Sequence, residues 1–272
     1  KKWQSTNKPL FAATNGAIIK DLVIDSSSSM TFSLNIIAES HYGVIIGDAF
    51  STVIENCTNK APVSLDNCVA NGLATRLDVG GIVGRTDADS QIIGCTNEGT
   101  IESKNTCNFG LTAEDAVPKA TVYMGGICGY CRCSIIDCSN TGNLTSNYNA
   151  YEKATAGIVA RIINADNTVK NCTNSGNIID NSARTPADTD ISKLDYNRKI
   201  YVSGVAAIQG SSTIDNCSNS GSITLGTDVK FVYVGGVVGK TNHPQTVLSN
   251  LTNSGEIKST AGVRYLYLGG VI

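Results

Sequence analysis

Short apolar segments recur along the whole chain, and their apolar residues alternate with other residues. Val232, Val234 and Val238 share one face of the segment around the Gly-Gly pair at 235–236, and Leu77 and Val79 do the same before the pair at 80–81. Alternation of this kind predicts strands with one buried face, and no helical period competes with it. Gly, Asn and Ser bound the segments, which indicates tight turns between short strands.

Two motifs repeat in a fixed order. The first, Gly-Gly-[Ile/Val]-x-Gly, stands at 80–84, 125–129 and 235–239, begins again at 269–272, and has degenerate copies from Gly43, Gly157 and Gly204. The second, Ile-x-Asn-Cys-x-Asn and its variants, follows at 54–59, 93–97, 136–140, 169–174, 214–219 and 248–253. In five of these six copies a Gly comes two residues after the last Asn, where we expect a corner with positive φ.

The repeat length varies from 31 to 47 residues between anchoring glycines. A solenoid accommodates this variation at its corners, whereas the blades of a β-propeller, the alternative fold, keep a more constant length. We therefore predict an all-β, right-handed parallel β-helix of about seven coils. It forms one domain over residues 1–272, with a weak N-terminal coil at 1–42, regular repeats at 43–272 and a truncated last repeat. Insertions at 103–121, 146–156 and 180–200 should lie at one corner.

Stacked coils place equivalent positions about 4.8 Å apart, so each motif position should form a column. The cysteine position is predicted to be a buried ladder of free thiols, because Leu251 occupies it in the last copy and cysteine packs as a small apolar side chain. This structural ladder consists of Cys57, Cys95, Cys138, Cys172 and Cys217. The final Asn of the motif should form a parallel ladder of hydrogen-bonded amides at 59, 97, 140, 174, 219 and 253.

The other cysteines raise two further questions. Cys68 and Cys107 occupy nearly equivalent corners of adjacent coils and are candidates for a disulfide, with free stacked thiols as the alternative. The run from Cys128 to Cys138 superficially resembles a metal cluster, but these two residues are already assigned to the core. We therefore predict no metal site and no cofactor.

Charge and motif content argue against several functions. Lys and Arg number 21 against 23 Asp and Glu, which does not suit a nucleic-acid partner, and no apolar stretch is long enough for a transmembrane segment. His41 and His243 stand in no recognisable catalytic motif, so no catalytic residue is predicted. Carboxylate pairs in loops, at 87/89, 114/115 and 188/190, are the candidates if the protein is an enzyme, and the first is also a candidate calcium site.

Tyrosines recur three residues before the anchoring Gly, at Tyr123, Tyr201, Tyr233 and Tyr267, with Tyr265 two residues before the last of them. By alternation this column faces away from the core, and the rings of successive coils should stack. Tyrosine combines an apolar ring with a polar tip, so the stripe is a candidate binding surface for sugars or a protein. The alternatives are cross-strand stacking alone, or a stripe covered by an insertion.

The two-part motif resembles the GLUG-type repeats of bacterial cell-surface and secreted proteins, and in particular long β-solenoid repeat proteins of gut Bacteroidetes. The resemblance extends over residues 43–272 and implies a non-catalytic surface or secreted module for adhesion or ligand binding. Its expected partners are a glycan or a host or bacterial surface protein. A carbohydrate-active enzyme, either a polysaccharide lyase or a glycoside hydrolase, is the alternative. Self-association through the C-terminal coil is also expected, because Leu266, Leu268, Val271 and Ile272 do not form a polar cap.

Overall fold

The chain forms a stack of short β-strands linked by turns. A computed structural model describes residues 4–70, 75–104, 107, 120–148, 150–164, 166–181, 199–226, 231–260 and 265–272. Within these ranges there are 38 strands and no helix. All the strand pairings are parallel, and they form six sheets. The predicted all-β parallel solenoid is therefore confirmed.

Seven coils follow one another along the chain, preceded by β1 (Gln4–Thr6). Coil 1 contains β2 (Phe11–Asn15), β3 (Ile18–Lys20), β4 (Val23–Ile24), β5 (Ser29–Phe32) and β6 (Asn35–Ile36). Coil 2 contains β7 (Glu39–Gly43), β8 (Ile46–Phe50), β9 (Val53–Glu55), β10 (Thr58–Asn59), β11 (Val63–Leu65) and β12 (Val69–Ala70). Coil 3 contains β13 (Arg76–Gly80), β14 (Val83–Thr86), β15 (Gln91–Ile93), β16 (Thr96–Asn97) and β17 (Ile101–Ser103).

The later coils keep five strands each. Coil 4 contains β18 (Thr121–Gly125), β19 (Cys128–Cys131), β20 (Ser134–Ile136), β21 (Ser139–Asn140) and β22 (Leu144–Ser146). Coil 5 contains β23 (Glu152–Ala156), β24 (Val159–Ile162), β25 (Thr168–Lys170), β26 (Thr173–Asn174) and β27 (Ile178–Asp180). Coil 6 contains β28 (Lys199–Ser203), β29 (Ala206–Gln209), β30 (Thr213–Asp215), β31 (Ser218–Asn219) and β32 (Ile223–Leu225). Coil 7 contains β33 (Phe231–Gly235), β34 (Val238–Thr241), β35 (Val247–Ser249), β36 (Thr252–Asn253) and β37 (Ile257–Ser259), and β38 (Tyr265–Gly269) follows it.

Equivalent strands of successive coils build five long sheets. Sheet I holds β7, β13, β18, β23, β28, β33 and β38, and sheet II holds β2, β8, β14, β19, β24, β29 and β34. Sheets III and IV begin with β3 and β4 respectively, and sheet V runs from β1 to β37, while β6 and β12 form a separate pair. The chain passes from sheet V to sheet I between β17 and β18, between β22 and β23, and between β27 and β28. These connections coincide with the predicted insertions at 103–121, 146–156 and 180–200, of which residues 105–106, 108–119, 149 and 182–198 lie outside the described residues.

The inward faces of the sheets enclose an apolar interior, made up of one large cluster and a smaller one in coils 5 to 7. Val79, Val83, Ile92, Ile101 and their equivalents in the other coils are fully buried, as the alternation predicts. The amide ladder runs along this interior from coil to coil. Asn59, Asn97, Asn140, Asn174 and Asn219 each donate a side-chain hydrogen bond to the Asn of the next coil over 2.7–2.8 Å.

The expected positive φ lies at a different motif position. Positive φ occurs at the residue before the ladder cysteine, for example at Asn56 (52°), Gly94 (62°) and Asp137 (56°). The Gly two residues after the ladder Asn is needed for another reason: a Cβ on Gly99 would lie 2.1 Å from the carbonyl oxygen of Ala61 in the coil before it. That glycine is therefore a close-packing position, and our assignment of positive φ to it was wrong.

Candidate functional site

The outward faces of sheets I and II meet along a line that we call the outer seam. The last Gly of the Gly-Gly-[Ile/Val]-x-Gly motif permits this contact, because its backbone lies directly against sheet I. A Cβ on Gly84 would be 2.4 Å from the nitrogen of Tyr42, and one on Gly129 would be 2.6 Å from the nitrogen of Val79. Any side chain at these positions would push the two sheets apart.

Two facing columns of side chains make up the outer seam. Strand register aligns the column of sheet I, which is His41, Asp78, Tyr123, Ala154, Tyr201, Tyr233 and Tyr267. It likewise aligns the column of sheet II, which is Asp48, Arg85, Tyr130, Arg161, Ile208 and Lys240. The seam is thus charged in coils 2 and 3 and aromatic in coils 6 and 7.

Tyrosine rings stack at the aromatic end of the seam. The ring centroids of Tyr201 and Tyr233 are 5.1 Å apart, and those of Tyr233 and Tyr267 are 4.6 Å apart with only 5° between the ring planes. Beside them Phe231 and Tyr265 stack at 4.8 Å. The ammonium of Lys240 lies 4.8 Å from the centre of the Tyr233 ring, a cation–π distance. Burial, with Lys199 nearby, lowers the pKa of Lys240.

Only part of the candidate stripe is open to solvent. Tyr265 and Tyr267 are 43% and 52% exposed and Tyr233 is half-buried, but Tyr123 and Tyr201 are only 2% and 3% exposed. These two belong to a second, smaller apolar cluster with Tyr130, Ala154, Ala160 and Ile208. The column therefore faces away from the main core, but its middle is not open to solvent. Sheet II approaches so closely that it covers the middle of the column.

A polar network holds Tyr123 in this second cluster. Its hydroxyl donates to the carboxylate of Glu152 and accepts a hydrogen bond from the guanidinium of Arg161. Arg161 also pairs with Glu152 at 3.2 Å. Burial raises the pKa of Tyr123 well above its ordinary value, so the phenol is neutral. Tyr123 is therefore a structural member of the seam, whereas Tyr233, Tyr265 and Tyr267 are accessible.

The charged end of the seam is centred on His41, which lies between two carboxylates. Its Nδ1 is 2.8 Å from Oδ1 of Asp48, and its Nε2 is 3.4 Å from Oδ2 of Asp78. Arg76 contacts the same Asp78 oxygen through Nε at 3.0 Å, and Arg76 and Arg85 both pair with Glu39 at 2.9 and 3.3 Å. Asp78 thus belongs to a network of six ionisable side chains from two coils.

Asp78 is the most perturbed acid in this network. It is 0% exposed, and burial raises its pKa to about 7, although Arg76 and His41 oppose the shift. Its Oδ1 has no hydrogen-bond partner among the described residues. A carboxyl group that titrates near neutrality beside an imidazole has the chemistry of an acid–base pair. In this conformation, however, its own network shields it from any substrate.

Sequence analysis missed this charged network. His41, Arg76 and Arg85 belong to three different strands, and none of them lies in a recognised catalytic motif. One signal was available, because Asp78 occupies the position that holds tyrosine in several other coils. The partners become visible only when the strand register is known.

The cysteine ladder runs through the core. All five members are at most 1% exposed and free, and each thiol donates to a carbonyl oxygen two residues before it, as Cys95 does to Ile93 at 3.4 Å. Cys68 and Cys107 are also free and buried. A hydrogen bond from one thiol to the other, together with burial, raises the pKa of Cys68. The structure shows two adjacent thiols there, and the disulfide stays a prediction.

The remaining candidate ligands serve structural roles or lie outside the described residues. Sγ of Cys131 is 3.5 Å from Sγ of Cys133, but the described part of the chain brings together no metal-binding group of three or more His, Cys, Asp or Glu side chains. Asp87 accepts hydrogen bonds from the Ser51 nitrogen and the Ser90 hydroxyl, so it holds a turn together. The carboxylates of residues 114, 115, 188 and 190 lie outside the described residues.

Comparisons with known proteins support the repeat architecture. Residues 76–102 match the family model of the GLUG motif, which confirms the resemblance to GLUG-type repeat proteins. The match covers coil 3 from β13 to the middle of β17, including the Gly-Gly turn and the Cys and Asn positions. Neither the curated proteins nor the solved structures include a match to this chain. Among the described residues, no helix could span a membrane.

Proposed function

We propose that this GLUG-repeat solenoid is a non-catalytic module of a bacterial secreted or cell-surface protein, and that it binds a glycan or a surface protein. The observation that carries the proposal is the accessible aromatic row at the end of the outer seam. We define this row as Tyr233, Tyr265 and Tyr267. The resemblance to surface and secreted repeat proteins supports the location, and the rigid stack of parallel coils suits a display surface.

The aromatic row offers a specific chemistry. Because Tyr233 and Tyr267 stack face to face at 4.6 Å, they present ring edges and hydroxyl groups rather than open ring faces. The hydroxyls of Tyr233 and Tyr267 therefore lie on adjacent strands, and Tyr265 adds a third hydroxyl on the same strand as Tyr267. An ordered row of hydrogen-bonding tips on an apolar base suits a polyhydroxylated chain, and it loses little side-chain entropy on binding.

Two adjacent cations complete this surface. Lys240 lies over the Tyr233 ring, and Lys199 is close enough to lower the pKa of Lys240. Two positive charges beside a row of hydroxyls favour a partner that carries carboxylates or other anionic groups. The net charge of the chain is only −2, so this attraction is local and should weaken as salt screens it.

Binding assays that compare the unaltered chain with single-tyrosine variants test the proposal. We expect the 272-residue chain to bind members of a polysaccharide and surface-protein panel, and Tyr267→Ala and Tyr265→Ala to weaken that binding at least about tenfold. Phe50→Ala is the matched control, because Phe50 is also an exposed aromatic residue, at 40%, but lies outside the row. Binding that is unchanged in both tyrosine variants, or absent across the panel, would contradict the proposal.

A carbohydrate-active enzyme remains the second candidate. One observation favours it. At the charged end of the seam, Asp78, whose pKa is about 7, lies beside His41. Release of reducing or unsaturated ends from a bound polysaccharide, abolished by Asp78→Asn, would establish this function. Binding without such release supports the non-catalytic module.

A further inference from the structure

Coil 5 differs from its neighbours at two inward positions. Lys153 on β23 stands in a column where the adjacent coils have Val122 and Ile200, and Asp180 on β27 pairs in register with Ser146 and Leu225. Both charged side chains are 0% exposed. The interior of one coil therefore contains a lysine at a position that the neighbouring coils fill with apolar residues, and an aspartate at a position that the other coils fill with apolar residues or serine.

The two side chains are held in direct contact. Nζ of Lys153 is 2.9 Å from Oδ2 of Asp180. The ammonium also donates to the carbonyl oxygens of Ser146 at 3.3 Å and Tyr148 at 3.2 Å, and it lies 4.3 Å from the centre of the Tyr148 ring. The Ser146 hydroxyl donates to the same Asp180 oxygen at 3.2 Å. These contacts fix both the amine and the carboxyl group in one orientation.

The stability contributed by a buried ion pair does not by itself explain why these two charged residues are present. Desolvating two charges costs about as much as their attraction returns, and apolar residues of similar size usually stabilise a core equally well. Ile200 and Leu225 show that the neighbouring coil fills the equivalent positions in that way. Burial also lowers the pKa of Lys153, against the opposing effect of Asp180, which favours the neutral amine.

We propose that Lys153 and Asp180 condense into an intramolecular isopeptide bond. The ammonium first passes a proton to the carboxylate, which leaves a neutral amine next to a neutral carboxylic acid. The Nζ lone pair attacks Cγ of Asp180, the new N–C bond forms, and one C–O bond breaks. The departing hydroxyl group takes the second proton from nitrogen and leaves as water. The products are one secondary amide and one water, with no change of oxidation state and no further reactant.

The site supplies what this reaction requires. Fixed contact between the two groups replaces a bimolecular encounter, and desolvation makes the lysine nucleophilic. The Ser146 hydroxyl polarises the carboxyl group, while the Ser146 and Tyr148 carbonyls orient the amine. The product amide is uncharged, so condensation also removes the cost of burying two charges.

Such a bond would close coil 5 into a covalent ring. Lys153 lies on the first strand of the coil and Asp180 on its last, so the bond joins the two ends of one complete turn of the solenoid. A cross-link of this kind restricts the unfolded chain in the same manner as a disulfide, but reducing agents do not cleave it. The seven-coil stack would then carry an internal clamp near its middle.

The intact mass of the denatured 272-residue chain tests this inference directly. We expect a mass that is lower by one water than the sequence requires. Lys153→Met and Asp180→Leu should both have their full sequence mass. After digestion with trypsin, residues 133–161 should be joined to residues 171–184, because a modified Lys153 is no longer cleaved. Chain isolated in denaturant before it has folded should have the full mass and should lose water on refolding.

Two results would overturn the proposal. One is folded protein at full mass with free cleavage after Lys153, which would leave a simple buried ion pair. The other is loss of water that persists in Lys153→Met, which would place the dehydration elsewhere. The first result comes from the unaltered chain alone, so it does not depend on whether a variant folds well.

Discussion

The amide ladder allows a stability prediction whose size follows from its hydrogen bonds. Asn140 is fully buried and takes part in three of them. Its Nδ2 donates to the Gly142 oxygen at 2.8 Å and to Oδ1 of Asn174 at 2.7 Å, and its Oδ1 accepts from Nδ2 of Asn97 at 2.7 Å. Asn140→Ala removes all three and leaves polar atoms of Asn97, Gly142 and Asn174 buried without these partners.

The expected cost is large for a single truncation. Each buried polar group left without its partner costs about 1–3 kcal/mol, and three groups lose a partner here. We therefore expect Asn140→Ala to lower the free energy of unfolding by about 3–9 kcal/mol. Asn253→Ala is the matched control, because Asn253 ends the described ladder, is only partly buried, and receives one inter-coil hydrogen bond, from Asn219.

Urea denaturation followed by far-ultraviolet circular dichroism measures both variants against the unaltered chain. We expect Asn140→Ala to destabilise the protein at least about twice as much as Asn253→Ala, since water can solvate the groups exposed by the second change. Equal effects in the two variants would refute the reasoning. So would a loss below about 1 kcal/mol in Asn140→Ala, because the ladder would then contribute no more than an ordinary surface contact.

Four further predictions concern packing, charge and association. Gly129→Ala places a Cβ 2.6 Å from a backbone nitrogen of sheet I, so it should cost about 2 kcal/mol or more in urea denaturation, whereas Gly270→Ala meets nothing within 4 Å and should cost little. Cys172→Asp buries a carboxylate in the thiol ladder and should cost about 3–5 kcal/mol, and the native thiol should resist labelling until the protein unfolds. Burial raises the pKa of Asp78 from 3.8 to about 7, so between these values the folded state keeps a proton that the unfolded state releases. Asp78 therefore contributes stability that is fully present below about pH 4 and is lost as the pH rises from there through about 7, on the order of 4 kcal/mol in all, and a urea series from about pH 4 to 8.5 should show this loss in the protein but not in Asp78→Asn. Leu268 is 56% exposed on β38, so light scattering should detect self-association that Leu268→Lys reduces; an unaltered chain that stays monomeric would contradict this.

The coil plan could be predicted from the sequence because the motifs keep their internal spacing. The Asn of the second motif recurs with a Gly two residues later, and register then forces the amides into one column. The sequence also indicates which motif residue adopts positive φ, although we assigned positive φ to a different residue. The site before the ladder cysteine is occupied only by Asn, Asp or Gly, as at Asn56, Gly94 and Asp137, and these are the residues that tolerate positive φ.

The outer seam could not be predicted in the same way. Alternation shows which residues leave the core, but it does not show whether two outward faces then meet. The close approach of Gly84 to sheet I decides this, and a glycine required for space has the same appearance in a sequence as one required for its dihedral angles. For this reason Tyr123 was expected at the surface, and the network around His41 was not expected at all.

The same glycine also explains where variation in function can arise. Because a small residue at the last position of the first motif lets sheets I and II approach each other, every repeat adds one facing pair of side chains to the seam; this residue is Gly in coils 3, 4 and 7 and Ala160 and Ala207 in coils 5 and 6. The backbone fixes the spacing of these pairs, and the core does not constrain their identity. Asp78 opposite Arg85, Tyr123 opposite Arg161 and Tyr233 beneath Lys240 are three chemistries built on one scaffold. Under the proposed binding function, exchanging seam residues would change the ligand while the coils remain intact, and the seam is where binding should be sought first.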